Sequence, residues 1–539
     1  MNANKRYLIL PADGIQAGSS SAGALLASMM VPVALSALRS SLTAGVIASR
    51  VNLRGVAKRR APQIPATAEL KVIASIAEDG IKLVSGSDEI IAALRQKNTG
   101  LRIVEETFCH PAISPRPEVL SAAKKEPARV RQPSKARAAA KPAAAAAAAG
   151  NTVWNVKVVQ ANTNVPVRGA KVVAFTDYAA RVGAEASTAA SGIATIIFAG
   201  KVTVLDRLYV FYDKPGLWGH FVNAPKVTKT EFTVALDSVD LAQADSLRHF
   251  HTVSSLTAGT GVRVGIVDSG VALDHPDLVV AGGKNCLPEP EQPANFGPAN
   301  DMHGTHVAGI IAGRGTAPTG IRGISPSAEI YSYRVFGKKS EGSGSSFAVI
   351  AAINQAITDG CDLINLSLSF DPGVSDPAVT AALRRARESG CLPVAAAGNN
   401  SRQPVSFPAS SPHALAISAA GRVGTFPASA DATADIAIPK GTDPANFLGA
   451  FSNNGLELDF TGAGVGVVST VPGGYAPLSG TSMACPAITG VIARLLAGRA
   501  DILAMPRDTE RTDAIRQLAI NAAAPLGFGN LFEGNGLIR

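Results

Sequence analysis

From Val262 to the C-terminus, short and almost unbroken apolar runs alternate with longer runs of helical period. The runs 262–267, 329–335, 362–367, 391–396 and 414–419 read as strands, and helices are expected to begin near 303, 343, 376 and 482. Such alternation predicts an α/β fold, a parallel sheet with helices on both faces. The pattern upstream is different. Leu70–Ile76 alternates with period two, Asp79-Gly80 is a hairpin signal, and Ile81–Val84 is a short strand. Ser87 is placed to cap a helix reaching Lys97, and Leu101–Val104 returns as a strand, giving a small α+β unit at 69–110. Strands at 153–159, 167–175, 194–198, 207–212 and 231–236, separated by turn residues, predict an antiparallel β-sandwich over 151–237. The expected division is therefore an N-terminal region 1–110, a linker 111–150, the sandwich, a connecting helix 238–254 and an α/β domain 255–539.

Composition adds three points. The 539 residues are 46% apolar, enough for two or three cored domains. The net charge is +9, and much of it falls in one segment, where Arg116, Lys124, Lys125, Arg129, Arg131, Lys135, Arg137 and Lys141 face only Glu118 and Glu126. That segment is interleaved with Pro and Ala and lacks aromatics, so it reads as a solvated linker rather than a nucleic-acid surface. The cysteines at 109, 286, 361, 391 and 485 are odd in number and scattered, which fits a reducing compartment better than a disulfide framework. Lys5 and Arg6 precede only a short Tyr-Leu-Ile-Leu run, unlike an export signal, and residues 1–66 are otherwise weakly patterned. The apolar stretch Ala22–Leu38 is broken by Pro32 and reads as a packed helix, not a membrane span. These features favour a cytoplasmic location, with a non-standard export route as the alternative.

The chemistry gathers at predicted strand ends and helix starts. Val262-Arg-Val-Gly-Ile-Val-Asp268-Ser-Gly270 is an apolar strand ending in a carboxylate and a turn. His303-Gly-Thr-His306-Val-Ala-Gly opens a helix. The two histidines at i, i+3 raise zinc as a rival reading, but no glutamate stands between them and no third ligand lies at metal spacing. Cys391-Leu-Pro-Val-Ala-Ala-Ala397-Gly398-Asn399 is a strand ending in an amide. Leu478-Ser-Gly-Thr-Ser482-Met-Ala-Cys-Pro486 reads as a tight turn feeding a helix, with Pro486 in its first turns. Alone, Ser482 would be a helix cap and Asp268 a turn residue.

The order Asp268, His303, Asn399, Ser482 in these contexts resembles the subtilisin-like serine proteases, over residues 255–539. Leu363-Ile-Asn-Leu-Ser367-Leu and Phe451-Ser-Asn-Asn-Gly455 add lesser matches, and His303 excludes the sedolisins, which carry Glu there. The resemblance implies a serine endopeptidase with Ser482 as nucleophile, His303 as general base, Asp268 as its orienting carboxylate, and Asn399 with the Ser482 amide as oxyanion donors. It implies that Ser367, Leu368 and Ser369 bind substrate as an added strand along one wall of the cleft, and that Ala397 and Gly398 form another. Ser369 stands where many relatives have Gly, and Ala487 where many have His. No acidic cluster of the kind found in dibasic-specific relatives is present, so an apolar residue before the scissile bond is expected. Asp277 matches a position that binds calcium in some relatives, but 314–323 lacks the usual Asn ligands. Calcium is therefore not favoured, and no cofactor is expected to be required. The unit at 69–110 resembles the propeptides of this family in size and order. That implies an intramolecular inhibitor, released by cleavage near or after His110 in an exposed linker. The sandwich is similar to small modules appended to bacterial surface enzymes and is expected to be a spacer or a dock for another protein. The alternative function is a catalytically idle scaffold that binds protein.

Overall fold

The computed structural model describes residues 5–11, 70–76, 80–97, 100–120, 150–228, 231–251, 255–288, 295–298, 301–337 and 342–539. The expected packed helix at Ala22–Leu38 and the expected linker over 121–149 lie outside them. No helix among the described residues is long and apolar enough to cross a membrane.

The α/β domain is built on parallel strands in the spatial order Val280–Asn285, Glu329–Arg334, Arg263–Asp268, Leu363–Leu366, Leu392–Ala396, Leu415–Arg422 and Phe460–Ala463. Both faces are covered, which is why these strands read as near-continuous apolar runs. Val264, Ile266, Leu363, Val394 and Ile417 face one core, shared with the helices His303–Ala312 and Thr481–Ala497. Val267, Ile364, Ala395 and Ala416 face the other, against the helices Ser346–Thr358 and Pro377–Glu388. Strand order reverses beside Arg263–Asp268, because the chain builds to one side of this strand first and then crosses to the other. The ends of Arg263–Asp268 and Leu363–Leu366 therefore open a crevice, the place where ligands bind in sheets of this kind.

The N-terminal unit departs from expectation. Its sheet has the order Lys71–Ser75, Lys82–Gly86, Lys5–Pro11, Leu101–Glu105, so the short run at the chain start is an internal strand, not unpatterned chain. Alternation explains its place. Tyr7 and Ile9 pack with Val84, Ile90, Leu94 and Ile103 in the unit's own core, beneath the helix Asp88–Lys97. Leu8 and Leu10, on the opposite face, join Leu83 against Phe347, Ile350 and Ala382 of the α/β domain. The unit thus sits across two helix N-termini, where Thr107 Oγ1 donates to the capping Asp376 at 2.6 Å and the Ser346 N–H donates to Thr107 O at 2.8 Å.

Residues 151–237 form two sheets that enclose one core around Trp154, Val172, Ile196 and Leu208. One has the order His220–Asn223, Arg207–Phe211, Lys171–Asp177, Val182–Ser187 and is antiparallel. In the other, Phe232–Leu236 pairs in parallel with Thr152–Gln160, so the expected antiparallel arrangement needs correction there. The last strand arrives by a crossover from the opposite sheet, and a crossover is what permits a parallel pair. The predicted connecting helix shrinks to Ser246–Phe250, capped by Asp245. Asp245 also accepts from the Val468 N–H at 2.7 Å, which fixes the start of the element against the α/β domain.

Leu8→Ala should cost about 2–5 kcal/mol, the usual range for a buried leucine. Amide exchange should accelerate in Lys82–Gly86, its hydrogen-bonded neighbour, and stay unchanged in Thr152–Gln160, which shares no core with it.

Candidate active site

Asp268 is the last residue of its strand and His303 the first of its helix. The Nδ1 of His303 lies 2.8 Å from Asp268 Oδ1, with both side chains fully buried. Gly304 permits this approach, since a Cβ there would meet Gly270 O at 2.5 Å and Asp268 Oδ1 at 3.1 Å. Burial pushes the imidazole toward neutrality. The charge and hydrogen bond of Asp268, aided by Asp301, outweigh it and hold the His303 pKa above its ordinary value. His303 Nε2 has no hydrogen-bond partner among the described residues.

His306 does not share this site. Its Nε2 faces Val467 O at 3.0 Å and Ala476 O at 3.1 Å, so that nitrogen carries the proton, and burial lowers its pKa to about 3. It is a neutral structural histidine, which removes the reason for the zinc reading. Among the described residues no group of three or more His, Cys, Asp or Glu side chains could hold a metal. Asp277 lies apart from the Asp268–His303 pair. Its carboxylate accepts from the Ile321 N–H and the Tyr475 hydroxyl, both at 2.8 Å, and ties down the loop around Gly315 and Gly320.

Ser482 is not a helix cap. Gly480 is the N-cap, and Ser482 is the second residue of Thr481–Ala497. Pro486 is the sixth residue of that helix, past the first turn in which a missing N–H goes unnoticed. Lacking an N–H, it leaves the Ser482 carbonyl without an intrahelical donor. The Ser367 hydroxyl fills that vacancy at 2.9 Å, and Asn365 Nδ2 in turn donates to Ser367 Oγ at 2.9 Å. Asn365 Oδ1 accepts from Thr489 Oγ1 and Cys485 Sγ. Cys485 is buried and its thiol is pushed well up, so it packs rather than reacts. The sequence signals Asn365 only as a polar residue inside an apolar strand.

Asn399 follows the strand Leu392–Ala396. Its Oδ1 accepts from Thr481 N at 3.0 Å and Thr481 Oγ1 at 2.9 Å. The Thr481 N–H is only a donor, so the amide oxygen must face it and Nδ2 must point the other way. Nδ2 is buried and has no partner among the described residues. The loop is fixed by Asn453, whose Nδ2 reaches Ala397 O, Pro404 O and Ser406 Oγ and whose N–H donates to Gly398 O. Ala397 is wholly buried, and Gly398 adopts φ +101 with Ser406 Oγ where a Cβ would be.

The crevice is filled by the chain itself. Phe108–Pro111 forms an antiparallel strand between Gly344–Ser345 and Leu368–Phe370, pairing Pro111 with Leu368 and His110 with Ser369. Cys109 is buried there, with its Sγ 3.3 Å from Gly344 O. The next residue, Ala112, donates its N–H to Ser367 O at 3.2 Å and accepts on its carbonyl from the Ser482 N–H at 3.0 Å. Ser114 N–H donates to Ser479 O at 2.8 Å. Ser482 Oγ donates to the same Ser367 carbonyl at 2.9 Å. The linker expected from residue 111 therefore does not begin there. Residues 111–114 are held by the rims of the cleft, which supply the backbone partners that the segment's own sequence does not advertise.

A carboxylate-held imidazole with one nitrogen free, a serine hydroxyl at a helix start and a backbone N–H of that serine on a carbonyl are of the kind used in nucleophilic acyl transfer. Comparison with known proteins agrees. The subtilase family profile (Peptidase S8) matches residues 259–536, and the chain belongs to that family. It is 36% identical over 283 residues to the thermostable alkaline protease of Halalkalibacterium halodurans, covering 52% of this chain and 67% of that protein. It is 35% identical over 285 residues to subtilisin Savinase of Lederbergia lenta, covering 90% of that protein. Subtilisin amylosacchariticus of Bacillus subtilis is 34% identical over 286 residues, with 65% of its length covered. The α/β domain is thus a subtilisin-like serine endopeptidase domain.

Gly480 is needed where the segment passes, because a Cβ there would lie 2.6 Å from Ala112 O and 2.9 Å from Ile113 Cα. Gly480→Ala should lift residues 112–114 from the cleft, and an added protease of different specificity should then nick 111–120 faster than in the unsubstituted chain.

Proposed function

We propose that the protein is a serine endopeptidase made as a self-blocked precursor, in which the Ala112–Ile113 peptide bond is its own first substrate. The observation that carries this reading is the pair of bonds on Ala112, its N–H to Ser367 O and its carbonyl from the Ser482 N–H. They orient the residue before a scissile bond and polarise its carbonyl.

In this reading Ser482 Oγ turns from Ser367 O toward His303 Nε2, which takes its proton as the oxygen attacks the Ala112 carbonyl carbon. Asp268 holds the imidazole with Nδ1 protonated and stabilises the imidazolium. Charge gathers on the Ala112 oxygen, where the Ser482 N–H already points and where Asn399 Nδ2 supplies a second donor. The positive end of the helix dipole at Thr481–Ala497 acts in the same direction. His303 then protonates the Ile113 amine as the C–N bond breaks, leaving an acyl-enzyme on Ala112. Water, activated by His303, releases it. Ser367, Leu368 and Ser369 hold substrate as an added strand, and Ala397 and Gly398 wall the pocket for the side chain before the bond. Alanine at that place supports a preference for small apolar residues. After the cut, Phe108–Ala112 remains paired in the cleft as a product, so the N-terminal unit acts as an inhibitor until it leaves. Asp277 is assigned to holding its loop rather than to calcium, and no cofactor is needed for these steps.

A fluorophosphonate probe should label the processed wild type and not Ser482→Ala; equal labelling, or none before or after processing, contradicts the reading. Asn399→Ala should lower turnover roughly 10²–10³-fold with little change in KM. Because His303 must be neutral to act as base and its pKa is raised above 6.5, the acid limb of kcat/KM should fall at a pH above 6.5, with activity lost as pH drops through it.

A further inference from the structure

The sandwich does more than separate two parts of the chain. Beyond Ile113 the polypeptide leaves the cleft and runs across the outer face of the sheet that contains Arg207–Phe211 and Lys171–Asp177. The Arg116 guanidinium lies 4.8 Å from the centre of the Phe211 ring and pairs with the Asp213 carboxylate. Val119 packs with Val173, Phe175 and Tyr209, and the Leu120 N–H donates to Arg181 O at 2.9 Å. These contacts follow one another in register from the cleft outward, so the sandwich continues the binding surface that begins at Ser482.

The α/β domain contributes acid to the same place. Ser114 Oγ approaches Asp435 Oδ1 at 3.4 Å, and Arg116 is close enough to Asp431 to oppose the upward push that burial gives its carboxyl. An aromatic ring under a guanidinium that also pairs with the Asp213 carboxylate is a site that selects a cation. The sandwich is fixed relative to the catalytic residues by Trp218, which is buried in the core of the α/β domain, and by the bonds Gly216 N–H to Tyr475 O and Phe221 N–H to Ser429 O. A specificity surface needs such a fixed distance from the scissile bond.

Building on the protease reading, we propose that Phe211 and Asp213 of the sandwich form a substrate subsite for a basic residue four positions after the cleaved bond, with Arg116 as its built-in occupant. The substrates it fits are polypeptides carrying Arg at that position. Arginine suits it better than lysine because a planar guanidinium both stacks on the ring and forks to a carboxylate.

The test uses the full-length chain after it has processed itself and two fluorogenic peptides of the sequence 108–120, one natural and one carrying Arg116→Ala. The expected ratio of kcat/KM is about tenfold in favour of the natural peptide, the size of one exposed ion pair plus one cation–π contact. In Asp213→Asn the ratio should fall toward one. In Asp213→Lys the preference should invert toward a peptide carrying Arg116→Asp, a gain that damaged folding could not produce. Equal cleavage of the natural and Arg116→Ala peptides by the wild type would overturn the subsite and leave the protease reading standing. Failure to cleave either peptide, by a chain that has cut its own Ala112–Ile113 bond, would also overturn it, since the surface would then serve only the tethered segment. A chain that never cuts that bond would instead remove the reading on which the subsite rests.

Discussion

The hydrogen bond from the Ser482 amide to the Ala112 carbonyl is where every part of this chain meets. Its donor is the buried start of a helix whose first amides lack intrahelical acceptors. Its acceptor is delivered by a strand that exists because two rims of a parallel-sheet crevice supply its ladder. On one side of that bond the segment is anchored by the N-terminal unit, and on the other by the sandwich. Ser482, the N-terminal unit and the sandwich are thus fixed relative to one atom, the Ala112 oxygen.

Several features that look like departures from good local structure serve this bond. Pro486 within a buried helix removes a donor, and the carbonyl it frees accepts from Ser367, which locks the helix start to the wall of the cleft. Gly480 gives up a side chain so that the backbone of residues 112–114 can pass. Among the described residues, Asn399 has a buried amide nitrogen without a partner, and His303 a buried ring nitrogen without one. Unpaired buried polar atoms are costly and therefore rare. Both belong to the residues on which the proposed reaction depends.

Much of this was legible in the sequence. The parallel strands announce themselves because both faces are buried, and the candidate side chains fall at their ends, where Asp268 closes a run of valine and isoleucine and Asn399 follows one of alanine. The helix starts near 303 and 482 were equally plain. What was hidden depends on contacts distant in sequence. The strand Lys5–Pro11 is a short run whose partners begin some seventy residues later, so nothing local distinguishes it from loop. Phe108–Pro111 has no pattern of its own and becomes a strand only against Gly344 and Leu368–Phe370. The parallel edge of the sandwich is set by a crossover, which periodicity does not record. Cys109 and Ala112 are small residues in a segment that merges into a Pro- and Lys-rich tract, and their burial follows from the cleft rather than from themselves.

The central claim is that the Ala112–Ile113 bond lies in place for Ser482. The most direct measurement is intact-mass analysis of the purified chain over time, beside Ser482→Ala. The account predicts fragments ending at Ala112 and beginning at Ile113 in the wild type, produced at a rate independent of protein concentration, and an uncut Ser482→Ala chain. Cleavage at another bond, or a Ser482→Ala chain that cuts itself in isolation, would contradict it.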